Sequence, residues 1–252
     1  MIIFLTIIAF AFLMIARLGD IRWAVFMVAA LLPTYLVRFE IGPFPSTLLE
    51  VLIVITILVW GIKHRGFQLA SPRLFAWRWP ILLLLLAGII GVVVAPDTRA
   101  ALGVFRAYLI EPILFFFVAV SVLRDRRDIE KLFGAFACSA FVVSVYAIVQ
   151  RFTGFGIPTP WVSELRVTSF FPYPNALGLF LAPLVPIFIA LGIEKIKSRM
   201  TILWFVVSAL SLMAIVFAKT EAAIVALVAT GILVALYYKK TRWVAVTALV
   251  IM

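Results

Sequence analysis

Reactive and metal-ligating side chains are scarce in this chain. It contains one cysteine, one histidine, 11 acidic residues and a single asparagine, Asn175, in 252 residues. One cysteine excludes an internal disulfide, and Cys138, set inside an apolar run, reads as small core packing. His64 stands between Lys63 and Arg65 and reads as a solvated loop residue. No His, Cys, Asp and Glu cluster with ligand spacing occurs in the sequence, so no metal and no cofactor are expected. A glycine-rich phosphate loop is also missing, since Gly154-Phe155-Gly156 is too short to form one. Strands of about ten alternating residues, the mark of a transmembrane barrel, do not appear.

What fills the chain instead is oil. Hydrophobic residues make up 66% and charged residues 13%. That balance exceeds the need of a soluble domain of this length. Apolar runs of about 15 to 20 residues alternate with short charged breaks, the pattern of an all-α polytopic bundle. Spans are expected near 1–16, 23–37, 46–62, 79–95, 109–123, 132–149, 175–193, 202–218 and 222–238, with a partial tenth at 243–252. The fold expected is therefore a single transmembrane domain over 1–252 with about nine full spans. Ten residues are too few to cross about 30 Å of hydrocarbon, so the chain reads as an N-terminal fragment of a longer protein. The N-terminal run lacks the basic start and the cleavage site of a signal peptide.

The formal net charge of +11 raises nucleic acid as a partner, but topology accounts for it better. Of the 22 Lys and Arg residues, 16 fall in the odd-numbered breaks and 6 in the even ones. The odd breaks are then cytoplasmic, and loops 96–108, 150–174 and 219–221 are expected on the outer face. Cations retained there oppose the positive-inside bias, which singles out Arg99, Arg106, Arg166 and Lys219 as binding candidates. Segment 96–108 reads as an interfacial amphipathic helix with Arg99 and Arg106 on one face. Snorkelling to lipid phosphates is the structural alternative, and Glu111 is in reach of a structural pair with Arg106.

The longest interruption, Gln150 to Gly178, carries Pro158, Pro160, Pro172 and Pro174 together with Phe152, Phe155, Trp161, Phe170, Phe171 and Tyr173. It is too apolar for water and too proline-rich for a helix, so it is expected to lie at the bilayer surface. Asn175 suits an N-cap, and Pro174 before it favours a helix start there. Free amides at that start beside Arg166 and Ser169 would make an anion site. A headgroup-level arginine and an ordinary capped helix form the structural alternative.

The residues Arg166, Ser169, Phe171, Pro174, Asn175, Leu177 and Gly178, followed by a Leu/Pro-rich span, resemble the signature of the O-antigen ligase / O-antigen polymerase superfamily. The resemblance implies a metal-independent glycosyltransferase of the bacterial cytoplasmic membrane. Its donor would be a glycan on a polyprenyl diphosphate, its acceptor a glycan or lipid hydroxyl, and its site the outer face. Arg166 would be the catalytic residue; Arg166, Ser169, Asn175, Arg99, Arg106 and Lys219 would hold the diphosphate. Where the family has a Ser-Arg-Gly-Ala-like turn, this chain has Ala218-Lys219-Thr220-Glu221, without the arginine fork. The family's outer loop with its catalytic histidine comes later than Met252, which places the general base outside this sequence; Glu164 and Glu221 are the nearest carboxylates. A transporter or flippase-like protein for an anionic or lipid-linked substrate is the second expectation, because proline-broken helices also build transport sites. A membrane scaffold is the third.

Overall fold

A computed structural model describes residues 2–41, 44–63, 75–194 and 200–237. The partial span expected at 243–252 and the histidine at 64 lie outside the described residues. Apolar runs fold as helices because a backbone removed from water must pair its own N–H and C=O groups. Residue contacts divide the chain into two compact units, Met1–Ala135 and Phe136–Met252.

The first unit opens with α1 (Ile2–Leu18) and α2 (Ile21–Ala30). The Asp20 carboxylate accepts the Arg22 amide at 2.9 Å and so caps α2. The span expected at 23–37 ends early. Pro33 cannot donate a backbone hydrogen bond, and the chain tightens into a 3-10 turn over Leu32–Leu36. A small hairpin follows that the hydropathy pattern did not indicate: β1 (Arg38–Ile41) pairs antiparallel with β2 (Phe44–Thr47), Arg38 opposite Thr47 and Ile41 opposite Phe44. Helix α3 (Leu48–Lys63) starts with a capping box. The Thr47 hydroxyl accepts the Glu50 amide and the Glu50 carboxylate accepts the Thr47 amide, both at 3.2 Å. Phe12, Ala24, Val25, Leu52, Trp60 and Val118 are among the residues at the centre of its core.

Helix α4 (Arg78–Val94) packs beside α5 (Thr98–Phe105), which Asp97 caps by accepting the Ala100 amide at 3.0 Å. A π turn over Arg106–Ile110 joins α5 to α6 (Glu111–Val122). Segment 96–108 is thus not a separate surface helix. It is the first part of one 25-residue helical stretch, Thr98–Val122.

Breaks far apart in sequence meet at one end of this unit. Arg22 donates to Asp128 at 3.1 Å and to Asp20 at 2.8 Å, and the Lys63 ammonium donates to the carbonyls of Ala16 and Gly19. The Arg22 guanidinium holds the Asp20 carboxyl below its ordinary value. At the opposite end of α3, Glu50 meets Arg106 at 3.1 Å.

Helix α7 (Arg126–Thr153) runs across the division between the units. The second unit then contains α8 (Pro174–Leu181), α9 (Leu184–Glu194), α10 (Met200–Ala218) and α11 (Glu221–Tyr237). The break between α8 and α9 falls at Ala182–Pro183, where proline lacks the donor that a continuous helix needs. Val143, Leu177, Leu181, Phe188, Val207 and Ala214 are buried in this unit.

The structure is helical as expected, but the number of full spans is smaller. Among the described residues, four stretches are long and apolar enough to cross a membrane: Thr98–Val122, Arg126–Thr153, Pro174–Glu194 and Met200–Ala218. Leu5–Leu18, Ile21–Ala30, Arg78–Val94 and Glu221–Tyr237 are shorter apolar helices. At about 1.5 Å per residue, 17 residues reach roughly 25 Å, short of the hydrocarbon core.

Gly178 sets the approach of α8 to α11. A Cβ there would lie 2.7 Å from Thr220 Oγ1 and 3.0 Å from Ala223 Cβ. Replacing Gly178 with Ala is expected to force the two helices apart and to cost about 1–3 kcal/mol, read as a lower unfolding midpoint of the protein in detergent micelles.

Candidate functional site

The segment between α7 and α8 is organised by one carboxamide. Gln150 is fully buried near the end of α7. Its Oε1 accepts the amides of Thr168 at 3.0 Å and Ser169 at 2.7 Å. Its Nε2 donates to the carbonyls of Gly156 at 3.1 Å and Ser169 at 3.0 Å. Both donors and both lone-pair directions of the side chain are used, which meets the requirement for burying an amide. The loop can bend around this point because Gly154 and Gly156 stand at φ +69° and +73°, in the left-handed region. A Cβ at Gly156 would also collide with the Tyr146 hydroxyl. Tyr146 in turn stacks on Phe170 with ring centroids 4.5 Å apart.

The expected surface loop is therefore anchored inward as well. Ile157, Val167, Thr168, Ser169 and Phe171 are buried, whereas Phe152, Phe155, Phe170 and Tyr173 are exposed. That split gives the segment an apolar outer rim over a hydrogen-bonded floor.

Arg166 follows Leu165, itself at φ 48°, and turns its side chain onto the end of α10. Its Nε donates to the Ala218 carbonyl at 3.1 Å and its Nη2 to the Lys219 carbonyl at 3.2 Å. The guanidinium lies over the Trp161 ring, 4.9 Å from its centre. The arginine thus closes a helix C-terminus, where unpaired carbonyls carry partial negative charge. The side chain is half-buried. Arginine has five N–H donors, and Nη1 makes no hydrogen bond among the described residues.

Lys219 sits in the turn between α10 and α11 at φ 52°. Its ammonium donates to the Glu164 carbonyl at 3.1 Å. Arg166 and Lys219 therefore cross between the loop and the turn in opposite directions, tying 164–166 to 218–219. The backbone adds a third tie, Val167 N–H to the Phe217 carbonyl at 3.4 Å. The glutamates at this end, Glu164 and Glu221, are both exposed.

Several sequence expectations change here. Asn175 is not the cap of α8. Tyr173 occupies that position with extended backbone and no side-chain cap, Pro174 is the first helical residue, and Asn175 is exposed one step further in. Proline supplies a preset φ and has no N–H to leave unpaired. The Ala176 amide bonds the Tyr173 carbonyl at 3.2 Å, which reduces the expected array of free amides. Ser169 is buried at φ 53°, with its hydroxyl donating to the Val143 carbonyl at 2.8 Å. It belongs to the floor of the loop. Arg166 reaches the Lys219 carbonyl, whereas no hydrogen bond joins Arg166 to Asn175 or Ser169 among the described residues.

In the first unit, Arg99 is exposed in the first turn of α5. Arg106 bridges Glu50 at 3.1 Å and Glu111 at 3.2 Å and donates to the Pro45 carbonyl at 3.2 Å. The anticipated pairing with Glu111 is present, and Glu50 is an unanticipated partner. Sequence reasoning also passed over Gln150 and the Trp161 platform. A glutamine at the end of an apolar helix, directly before a Pro/Gly-rich segment, was the available signal.

Replacing Gln150 with Leu would leave the Thr168 and Ser169 amides and the Gly156 carbonyl unpaired, and the Ser169 carbonyl with the Thr168 hydroxyl alone. At about 1–3 kcal/mol for an orphaned buried group, a loss of at least about 3 kcal/mol is expected, measured by thermal unfolding. Gln150→Glu should also destabilise, because a carboxylate cannot donate to the Gly156 and Ser169 carbonyls.

No protein-family model, no curated protein and no solved structure matches this chain.

Proposed function

We propose that this chain belongs to a membrane glycosyltransferase of the O-antigen ligase or polymerase type, working on a polyprenyl-diphosphate-linked glycan. The supporting observation is the Arg166–Lys219 pair. Arg166 reaches the Lys219 carbonyl and the Lys219 ammonium reaches the Glu164 carbonyl at one loop–turn junction with an exposed aromatic rim, and Arg166 is held by carbonyls through only part of its fork. An arginine steadied on one side and open at Nη1 is suited to a phosphate oxygen, and the planar guanidinium offers directional donors there.

In this reading the acceptor hydroxyl oxygen attacks the anomeric carbon. The bond from that carbon to the diphosphate oxygen breaks, and polyprenyl diphosphate departs with the electron pair. The hydroxyl proton passes to a general base. Arg166, with Lys219 beside it, stabilises the charge that grows on the leaving diphosphate, a role that requires donors fixed before the reaction begins. The outer rim of Phe152, Phe155, Phe170 and Tyr173 would lie against lipid. In this reading, which rests on the positive-inside count of Lys and Arg, this end of the second unit faces the external side of the membrane.

The break between α8 and α9 favours a second reading, a transporter with a discontinuous helix. Substrate flux in proteoliposomes without glycan transfer would select it.

Arg166→Ala in the full-length protein should lower glycan transfer by about 100-fold, the scale for losing one preorganised donor to a developing charge. Because Arg166 also serves the α10 carbonyls, the variant should lose about 1–2 kcal/mol of stability as well. Arg166→Lys should keep part of the activity. Transfer by correctly inserted Arg166→Ala at the wild-type rate would exclude the assignment.

A further inference from the structure

Two carboxylates share one guanidinium where α3, β2 and the helix Thr98–Val122 come together. Arg106 Nη2 lies 3.1 Å from Glu50 Oε2, and Arg106 Nε lies 3.2 Å from Glu111 Oε1. Glu50 Oε2 also accepts the Ser46 hydroxyl at 2.9 Å and the Thr47 amide at 3.2 Å. Glu111 is different. It is 7% exposed, and its Oε2 is buried without a hydrogen-bond partner.

The π turn creates this arrangement. Residues five apart on an α-helix stand about 140° from one another around the axis. Over Arg106–Ile110 the helix widens by one residue, and the Glu111 amide bonds the Arg106 carbonyl directly. That stacks Glu111 on Arg106 and turns its second oxygen into the packed interior.

The neighbouring charges are engaged elsewhere or lie on other elements. Lys63 at the far end of α3 bonds the α1 carbonyls, and Arg22 of α2 is bound to Asp20 and Asp128. Arg38 and Glu40 lie on β1, Arg99 on α5 and Arg78 on α4. Glu111 is the only charged residue of α6. Counted alone, Glu50, Glu111 and Arg106 carry a net charge of −1 with all three ionised. An uncompensated charge is costly in a low-dielectric interior, and an acid inside an apolar helix is held only with a partner.

We propose that Glu111 Oε2 is the seat of one bound monovalent positive charge, a proton or a sodium ion, that balances the Glu50–Arg106–Glu111 cluster. The site stands independently of the glycan-transfer reading. With the charge bound the cluster is neutral; when it leaves, the one guanidinium that already lies within 3.2 Å of both carboxylates faces two full negative charges.

The test uses the full chain in lipid nanodiscs at neutral pH. If a proton is bound, the infrared spectrum holds a carboxylic-acid C=O band that disappears in Glu111→Gln. The band also disappears in Glu50→Gln, because one carboxylate and one guanidinium already balance. If sodium is bound, there is no such band, but exchanging choline for sodium at equal ionic strength raises the unfolding midpoint of the wild type and of neither variant. Either pattern supports the site; if Glu111→Gln does not fold, Glu111→Asp serves in its place, because it shifts the acid band or weakens the sodium response only if the charge sits on residue 111. A wild type with neither signature, or a band or sodium response that persists in Glu111→Gln, overturns the proposal.

Discussion

The buried carboxamide of Gln150 is the constraint on which the second unit depends. An extended, proline-rich segment has no helical partners for its own amides and carbonyls. Near a bilayer it cannot rely on water for them either. Four hydrogen bonds to Gly156, Thr168 and Ser169 supply that need from a single side chain. Once Thr168 and Ser169 are held, Arg166 can reach only a limited set of positions. The guanidinium then finds the end of α10, and the loop is tied at both of its edges.

The same physical problem recurs in the first unit with a similar solution. The last carbonyls of a helix carry partial negative charge and lack intrahelical donors. Lys63 meets those of Ala16 and Gly19 at the end of α1, and Arg166 meets those of Ala218 and Lys219 at the end of α10. Cations that a sequence reading assigns to topology or to a ligand thus have a structural duty. For Arg166 the carbonyl contacts to Nε and Nη2 orient the fork, and Nη1 makes no hydrogen bond among the described residues. Lys219, with left-handed backbone, spends its ammonium on the Glu164 carbonyl.

Much of the architecture was legible before the structure. Hydropathy located a helix for each described apolar run, because helix formation in an apolar medium follows from backbone pairing alone. The count of full spans was overstated because hydropathy does not register where a helix is interrupted. Pro33 shortens α2, and α4 and α11 end at 17 residues each. The hairpin at 38–47 escaped notice because four-residue strands alternate too briefly to stand out. The threonine–glutamate capping box at Thr47 and Glu50 was present in the sequence and went unread. At the site, the helix cap expected at Asn175 is Tyr173, the Ser169 hydroxyl is spent on the Val143 carbonyl, and the tie between Arg166 and the Lys219 carbonyl was not read from the sequence.

Composition and order alone determined that this chain is helical and oily, because those properties add up residue by residue. They also placed arginines at the interruptions, where charge can reach a polar boundary. Which partner each polar group takes was decided by tertiary structure. Hydrogen bonding across 18 or 19 residues, as at Gln150, or across 52, as between Arg166 and Ala218, depends on where the intervening helices return the chain. A π turn that brings Arg106 onto Glu111 also has no local signature, since it is selected by contacts with α3 and β2. Short-range preferences are summed along the chain, but the pairing of buried polar groups is settled only once the chain has closed on itself.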